Sequence, residues 1–287
     1  MSLRTFFEDP ELNATFSAHV GAVPKITVGD LVVAPPAGVR GGQFTLIGTA
    51  FEYLTRTFVA AVNPGRVTRR DKRAVQHAAV WPRQRPSAQE LVVRVYAEAA
   101  AARDKFLDDE LFTDDLLRSS VYVADIEIAL RSGILHDAVH EPSADVLADL
   151  RGLVVTLRTQ PWLVASRRAH LNCTFSTWSP RIGGADYDLL IDNVLVDIKT
   201  TVKAGWARAA FNNTVACWAL SRLEGIEDVT HIGLFSPRYA SLMTFEACEL
   251  FSTPDHEARF LDWFADAATK HGAAQGPDTG IRGRNGR

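Results

Sequence analysis

Residues 183–201 read GGADYDLLIDNVLVDIKTT, and this stretch limits what the chain can become more than any other. Two apolar runs flank Asp192-Asn193, a turn-prone pair that predicts a two-residue hairpin. With that pair at the tip, Ile191 faces Val194, Asp188 faces Asp197 and Asp186 faces Lys199. Side chains alternate along a strand, so Asp186, Asp188, Asp197 and Lys199 fall on one face. Directly opposed Cβ atoms lie about 4.5–5.5 Å apart, and like charges so opposed destabilise a hairpin. A chain that stacks aspartates in this way implies a cation between them. The bland alternative is a surface hairpin with a polar outer face, but solvated faces usually intersperse charges of both signs.

The same residues resemble the PD-(D/E)XK nuclease superfamily. Asp197-Ile198-Lys199 stands at its D/E-x-K position, and Asp186 in Gly183-Gly184-Ala185-Asp186 fits the G-x-x-D form of the preceding acidic residue in the RecB-like branch. Asp188, across from Asp197, is the rival for that role, and the residues alone leave both open. The resemblance implies a restriction-endonuclease-like α/β fold, a mixed central sheet flanked by helices. It implies a Mg2+-dependent deoxyribonuclease (Mn2+ as a substitute) whose metal is held by Asp186 and/or Asp188, Asp197 and the Ile198 carbonyl. Glu52, in Gly48-Thr49-Ala50-Phe51-Glu52, occupies the place of a further acidic ligand on the first core helix. Lys199 would position the attacking water and offset transition-state charge. RecB-like nucleases carry Q-x-x-x-Y on the next helix; here RAAFNNTVACWALSR offers Asn213 or Thr214 for the amide and Trp218 for the aromatic, an imperfect match. The superfamily also contains members that bind nucleic acid or protein without cutting, so a catalytically silent binding module is the competing expectation.

At 287 residues, 47% hydrophobic and 23% charged, the composition is that of a globular protein, and the net charge of −3 excludes a strongly basic, histone-like binder. No apolar run reaches the length that spans a bilayer, and the N-terminus lacks a signal-peptide pattern. Cys173, Cys217 and Cys248 form no zinc pattern and are too few for a four-cysteine iron–sulfur cluster. A reduced, cytoplasmic setting is expected. No G-x-x-x-x-G-K-[S/T], G-x-S-x-G or G-x-G-x-x-G occurs, so nucleotide cofactors and serine hydrolysis lack support. A motor, if one is used, is a separate protein, and a homodimer would place one site on each strand of a duplex.

Along the chain, residues 1–45 read as an irregular N-terminal segment with strand-like fragments such as Ile26–Val33. The nuclease-like domain is expected over 46–270: a helix at Ile47–Ala61, a basic connector at 66–86, and a helical insertion at about 87–160. Within the insertion, Ser87-Ala88-Gln89-Glu90 is a capping box and Ser143 an N-cap. A sheet follows at about 169–246, with strands at Ala169–Thr177, the hairpin, Thr230–Ser236 and Ser241–Phe245, and a helix at Gly205–Leu223. Asp255–Lys270 closes the domain, and 271–287 reads as a disordered tail.

Arg66, Arg69, Arg70, Lys72 and Arg73, with Arg83 and Arg85 beyond, form a basic cluster suited to phosphate backbones. Lys203, Arg167, Arg168 and Arg181 are nearer the hairpin in sequence and suit the same role. Asp125 and Glu127 sit among apolar residues, with Arg131 one turn after Glu127 as an ion-pair partner. His136 and His140 have zinc-like spacing, but Gly133 and Pro142 bracket them too closely for a long helix.

Overall fold

The apolar runs of the second half of the chain pair into one mixed sheet whose spatial order is its chain order: β1 (Val67–Arg69), β2 (Ala169–Thr174), β3 (Asp186–Ile191), β4 (Val194–Ile198), β5 (His231–Ser236) and β6 (Ser241–Glu246). The structure, a computed structural model, describes residues 3–25, 31–69, 86–132, 138–182, 184–203, 205–226 and 228–275. Among these the helices are α1 (Leu3–Phe7), α2 (Pro10–Val20), α3 (Gln43–Val62), α4 (Pro86–Asp109), α5 (Asp114–Ser132), α6 (Ala144–Leu157), α7 (Arg208–Leu223) and α8 (Pro254–Gln275). The β2–β3, β3–β4 and β5–β6 pairs are antiparallel, whereas β1–β2 and β4–β5 are parallel. A parallel pair needs a crossover, and α7 supplies it between β4 and β5.

Both sheet faces are apolar, and helices cover both. Leu195, Ile232 and Leu234 join one core with α1, α2, α7 and α8, through Phe6, Phe16, Phe211, Trp218, Phe260 and Phe264. Val196, Ile198 and Phe235 point the other way, into a core with α3, α5 and α6 through Phe51, Leu54, Leu117, Leu150 and Leu153. A smaller cluster seals α4 against α5. The chain is therefore a mixed α/β protein with its six-stranded sheet between helical layers.

The hairpin forms in the expected register, Ile191↔Val194, Leu190↔Leu195 and Leu189↔Val196. Asp192 holds a left-handed φ of 53° at the tip. Its carboxylate compensates by accepting from the Ser166 amide and hydroxyl and from the amides of Arg167 and Arg168. These bonds to the ionised form hold its carboxyl well below the usual range, overcoming the opposite effect of burial. Asn193 donates to Thr230 Oγ1 at 2.6 Å, tying the tip to the approach to β5.

Three expectations need correction. Residues 1–45 are not an irregular appendage: Asp9 caps α2, with Pro10 in its first turn, and Phe6, Phe16 and Val20 complete the core against α8. Asp-Pro-Glu is a helix-start signal, and the apolar residues behind it supply the burial. The connector is not wholly irregular either, because Val67–Arg69 adds an edge strand parallel to β2; residues 70–85 lie outside the described residues. Nor is 271–287 disordered throughout, since α8 runs to Gln275; within 87–160, α6 packs directly into the layer beneath the sheet. Of the Ile26–Val33 fragment, 31–33 is not strand and 26–30 lies outside the described residues, as does 276–287 of the tail.

Candidate active site

The residues singled out in the hairpin do converge. A cleft of about 170 Å³ is lined by Asp186, Tyr187, Asp188, Leu195, Val196, Asp197 and Lys199 from the hairpin and its exit. Asn172 of β2, Glu52 of α3, and Asn213, Thr214 and Cys217 of α7 complete the wall. Asn172 adopts a left-handed φ of 49°, and the regular alternation breaks there: Leu171 and Leu189 join one core, whereas Cys173 and Tyr187 join the other. This kink lies beside Asp188, where the β2–β3 register skips one pair before resuming at Cys173↔Tyr187.

Asp188 accepts the Ile198 amide through Oδ2 at 2.8 Å, taking a donor just beyond the last ladder pair, Leu189↔Val196. Asp197 holds the Lys199 ammonium through Oδ1 at 2.7 Å, and the same ammonium lies 3.3 Å from the Ile198 carbonyl. The other oxygen, Asp197 Oδ2, is buried and has no hydrogen-bond partner among the described residues. Asp186 is exposed at the rim. Of the two rivals, Asp188 is therefore the one engaged with the Asp197 strand, while Asp186 closes the same cleft from outside.

Burial dominates the electrostatics. It pushes the Asp197 carboxyl up to about 6, with Lys199 opposing and Asp188 reinforcing the rise. Asp188 is also raised, again by burial first, with Lys199, the Ile198 amide and Arg56 pulling it back. Burial alone would lower the Lys199 ammonium, but Asp197, Asp188 and then Glu52 hold it above its ordinary value, so it stays protonated. The Cys217 thiol is pushed up by burial and by Asp186, Asp197 and Asp188. Its Sγ lies 3.4 Å from the Asp186 carbonyl.

Among the described residues no three His, Cys, Asp or Glu side chains gather closely enough to enclose a metal ion by themselves. The donor set is instead two carboxylates of one cleft, Asp188 and Asp197, with the Ile198 backbone carbonyl between Asp197 and Lys199. That set suits Mg2+, which is commonly held by one or two carboxylates and otherwise by water and substrate phosphate. The unpartnered Asp197 Oδ2 fits it as well, because a buried carboxylate oxygen normally has a donor or a cation against it.

Other candidates fall elsewhere. Trp218 is a core residue, stacked on Phe251 and donating to the Val229 carbonyl, and does not line the cleft; Asn213 and Thr214 do. Arg66 donates to the Ala165 carbonyl, and its own carbonyl accepts the Ala169 amide, which places it toward the hairpin tip rather than the cleft. Arg167 and Arg168 pair with Asp228, also near the tip. Arg181 stacks on Trp178 at 4.8 Å between β2 and β3, and Lys203 is exposed just beyond Lys199. The Arg69 side chain and Arg70, Lys72, Arg73, Arg83 and Arg85 lie outside the described residues, as do His136 and the Arg131 side chain. His140 sits 3.5 Å from Asp125.

Arg56 and Cys217 escaped the sequence reading. Arg56 lies one turn after Glu52 and Cys217 one turn after Asn213, so helical spacing from residues already singled out points to both. Comparison of the chain with protein-family models, with curated proteins and with solved structures gives no match.

Proposed function

We propose that this protein is a metal-dependent phosphodiesterase that hydrolyses DNA, with a restriction-endonuclease-like core of the PD-(D/E)XK type. The observation that carries the proposal is the buried Asp197 Oδ2, without a hydrogen-bond partner among the described residues and set in one cleft with Asp188 and a protonated Lys199. Asp188, Asp197 and the Ile198 carbonyl would hold Mg2+, with Asp186 and Glu52 at the edges of the cleft. When bound, the ion supplies Lewis-acid polarisation of a phosphate and a lowered pKa for a coordinated water.

The chain's own groups account for the rest. Lys199 Nζ, fixed 2.7 Å from Asp197, presents a cation where negative charge builds on the phosphoryl oxygens. Its raised pKa makes it an electrostatic stabiliser and a donor to the attacking water rather than a proton acceptor. Asp188 holds the Ile198 amide, while the Lys199 amide donates to the Phe235 carbonyl at 2.9 Å and orients the peptide plane that carries the Ile198 carbonyl. Exposed Lys203 would meet phosphates outside the cleft.

The decisive assay compares wild type and Lys199→Ala on linear, closed circular and single-stranded DNA with Mg2+, Mn2+ or EDTA. Metal-dependent cutting by wild type alone supports the proposal. Folded wild-type protein that cuts none of these substrates refutes it and favours a binding module built on the same scaffold.

A further inference from the structure

One ion pair is buried completely and has no part in the cleft. Arg238, in the turn between β5 and β6, and Asp149 of α6 are both 0% exposed at their side chains. The guanidinium meets the carboxylate as a fork, Nη1 to Oδ1 at 3.0 Å and Nη2 to Oδ2 at 2.8 Å. Removing two charges from water is costly, and apolar residues of similar volume often stabilise a core as well or better. What the pair provides here is geometry.

Its remaining hydrogen bonds show which geometry. Arg238 Nε donates to the Thr200 carbonyl, and Nη1 donates to the Ala34 carbonyl at 3.0 Å. The Arg238 carbonyl accepts the amides of Val33 and Ala34, and Asp149 Oδ1 accepts the Ala37 amide at 3.1 Å. Thr200 directly follows Lys199, where the chain leaves β4. A Cβ placed on Gly48 would come within 3.3 Å of Thr200 Oγ1, so this loop also lies tightly against α3, one turn before Glu52. Next door, Tyr239 donates to the Val202 carbonyl at 2.6 Å.

We infer that Arg238 and Asp149 form a positioning strut. The pair holds the 200–202 loop against α3 and thereby sets where Lys199 and Glu52 stand relative to Asp197. The inference deepens the nuclease reading, but the strut itself is a physical claim that survives if no DNA is cut. A guanidinium reaches these acceptors together because its donors radiate from one rigid plane; an ammonium on a flexible stem does not.

The test is Arg238→Lys in the full-length protein, read by hydrogen exchange and by cleavage. Exchange in peptides covering 197–203 is expected to rise about tenfold or more, with the 189–195 segment unchanged, as local opening of one unit predicts. Where wild type cuts DNA, kcat is expected to fall about 10- to 100-fold with KM within about threefold, the effect of a misplaced reacting group rather than lost binding. Unchanged exchange in a folded variant overturns the strut, and faster exchange with wild-type kcat overturns the positioning role. A wild type that cuts nothing refutes the nuclease reading, and the exchange comparison then decides the strut alone. Should Arg238→Lys fail to fold, Asp149→Asn gives the same readouts, because it keeps the shape and removes the charge that fixes the fork.

Discussion

Replacing Lys199 with methionine separates the electrostatics of the site from its chemistry. The ammonium lies 2.7 Å from Asp197 Oδ1, and its side chain is 39% exposed. Unit charges about 4 Å apart at an effective dielectric of about 20 attract by about 4 kcal/mol. Solvent screening at this exposure reduces that to about 2 kcal/mol. For a chain of this size the loss corresponds to a fall in Tm of about 4–8 °C. The pH dependence has a definite sign. Asp197 titrates at about 6 in the native state, against about 4 when unfolded. Its ionisation therefore costs stability as pH rises from about 4 through 6, and the cost is constant above that. Removing Lys199 moves the native value further up, so the deficit is largest near about pH 8 and small near about pH 5, where native Asp197 is protonated in both proteins. Lys199 itself stays charged across this window. The assay is thermal unfolding of wild type, Lys199→Met and Asp197→Asn/Lys199→Met at both pH values in EDTA. The double variant carries no unpaired charge at these positions and is expected to recover at least half the loss at the higher pH. A deficit equal at both pH values, or a double variant less stable than Lys199→Met, would refute the electrostatic reasoning.

Other consequences can be measured with the same protein. Mg2+ or Mn2+ is expected to raise Tm near pH 8 and to do so less near pH 5, because Asp197 must lose its proton to bind; Asp197→Asn should abolish the shift, and an equal shift in that variant would place the ion elsewhere. Asp192→Ala removes four hydrogen bonds from the hairpin tip and should cost about 2 kcal/mol or more in a urea titration at neutral pH. The Asp192 pKa is depressed in the fold, so this contribution is present above about pH 4 and disappears as pH falls through the native value. Trp218→Ala should cost about 3–5 kcal/mol by the same titration, while the metal-induced Tm shift remains, in keeping with a core residue outside the cleft.

Much of the site was legible because it is local. The hairpin register follows from the turn at Asp192-Asn193 and the period of two in the flanking strands, and that suffices to bring Asp188 beside the strand that carries Asp197. Helices with long apolar periodicity, such as α3 and α7, were found to within a few residues. The N-terminal helices were obscured because residues 1–45 are interrupted by Pro and Gly, and α1 and α2 owe their stability to Phe6, Phe16 and Val20 meeting α8 at the other end of the chain. β1 is only three residues long and exists because β2 offers it an edge.

What the sequence by itself determined is the hairpin, the carboxylates on its two strands and the lysine beside them, since strand geometry fixes these over a few residues. The tertiary structure alone decided the rest. It left Asp186 at the rim and tied Asp188 to the Ile198 amide, and it brought Glu52 and Arg56 from α3 and Cys217 from α7 to the same site. It also paired Arg238 with Asp149, 89 positions apart, behind the loop that follows Lys199. Burial raises the Asp197 pKa and leaves one of its oxygens without a partner among the described residues, and burial is a property of the packed layers that no local pattern encodes.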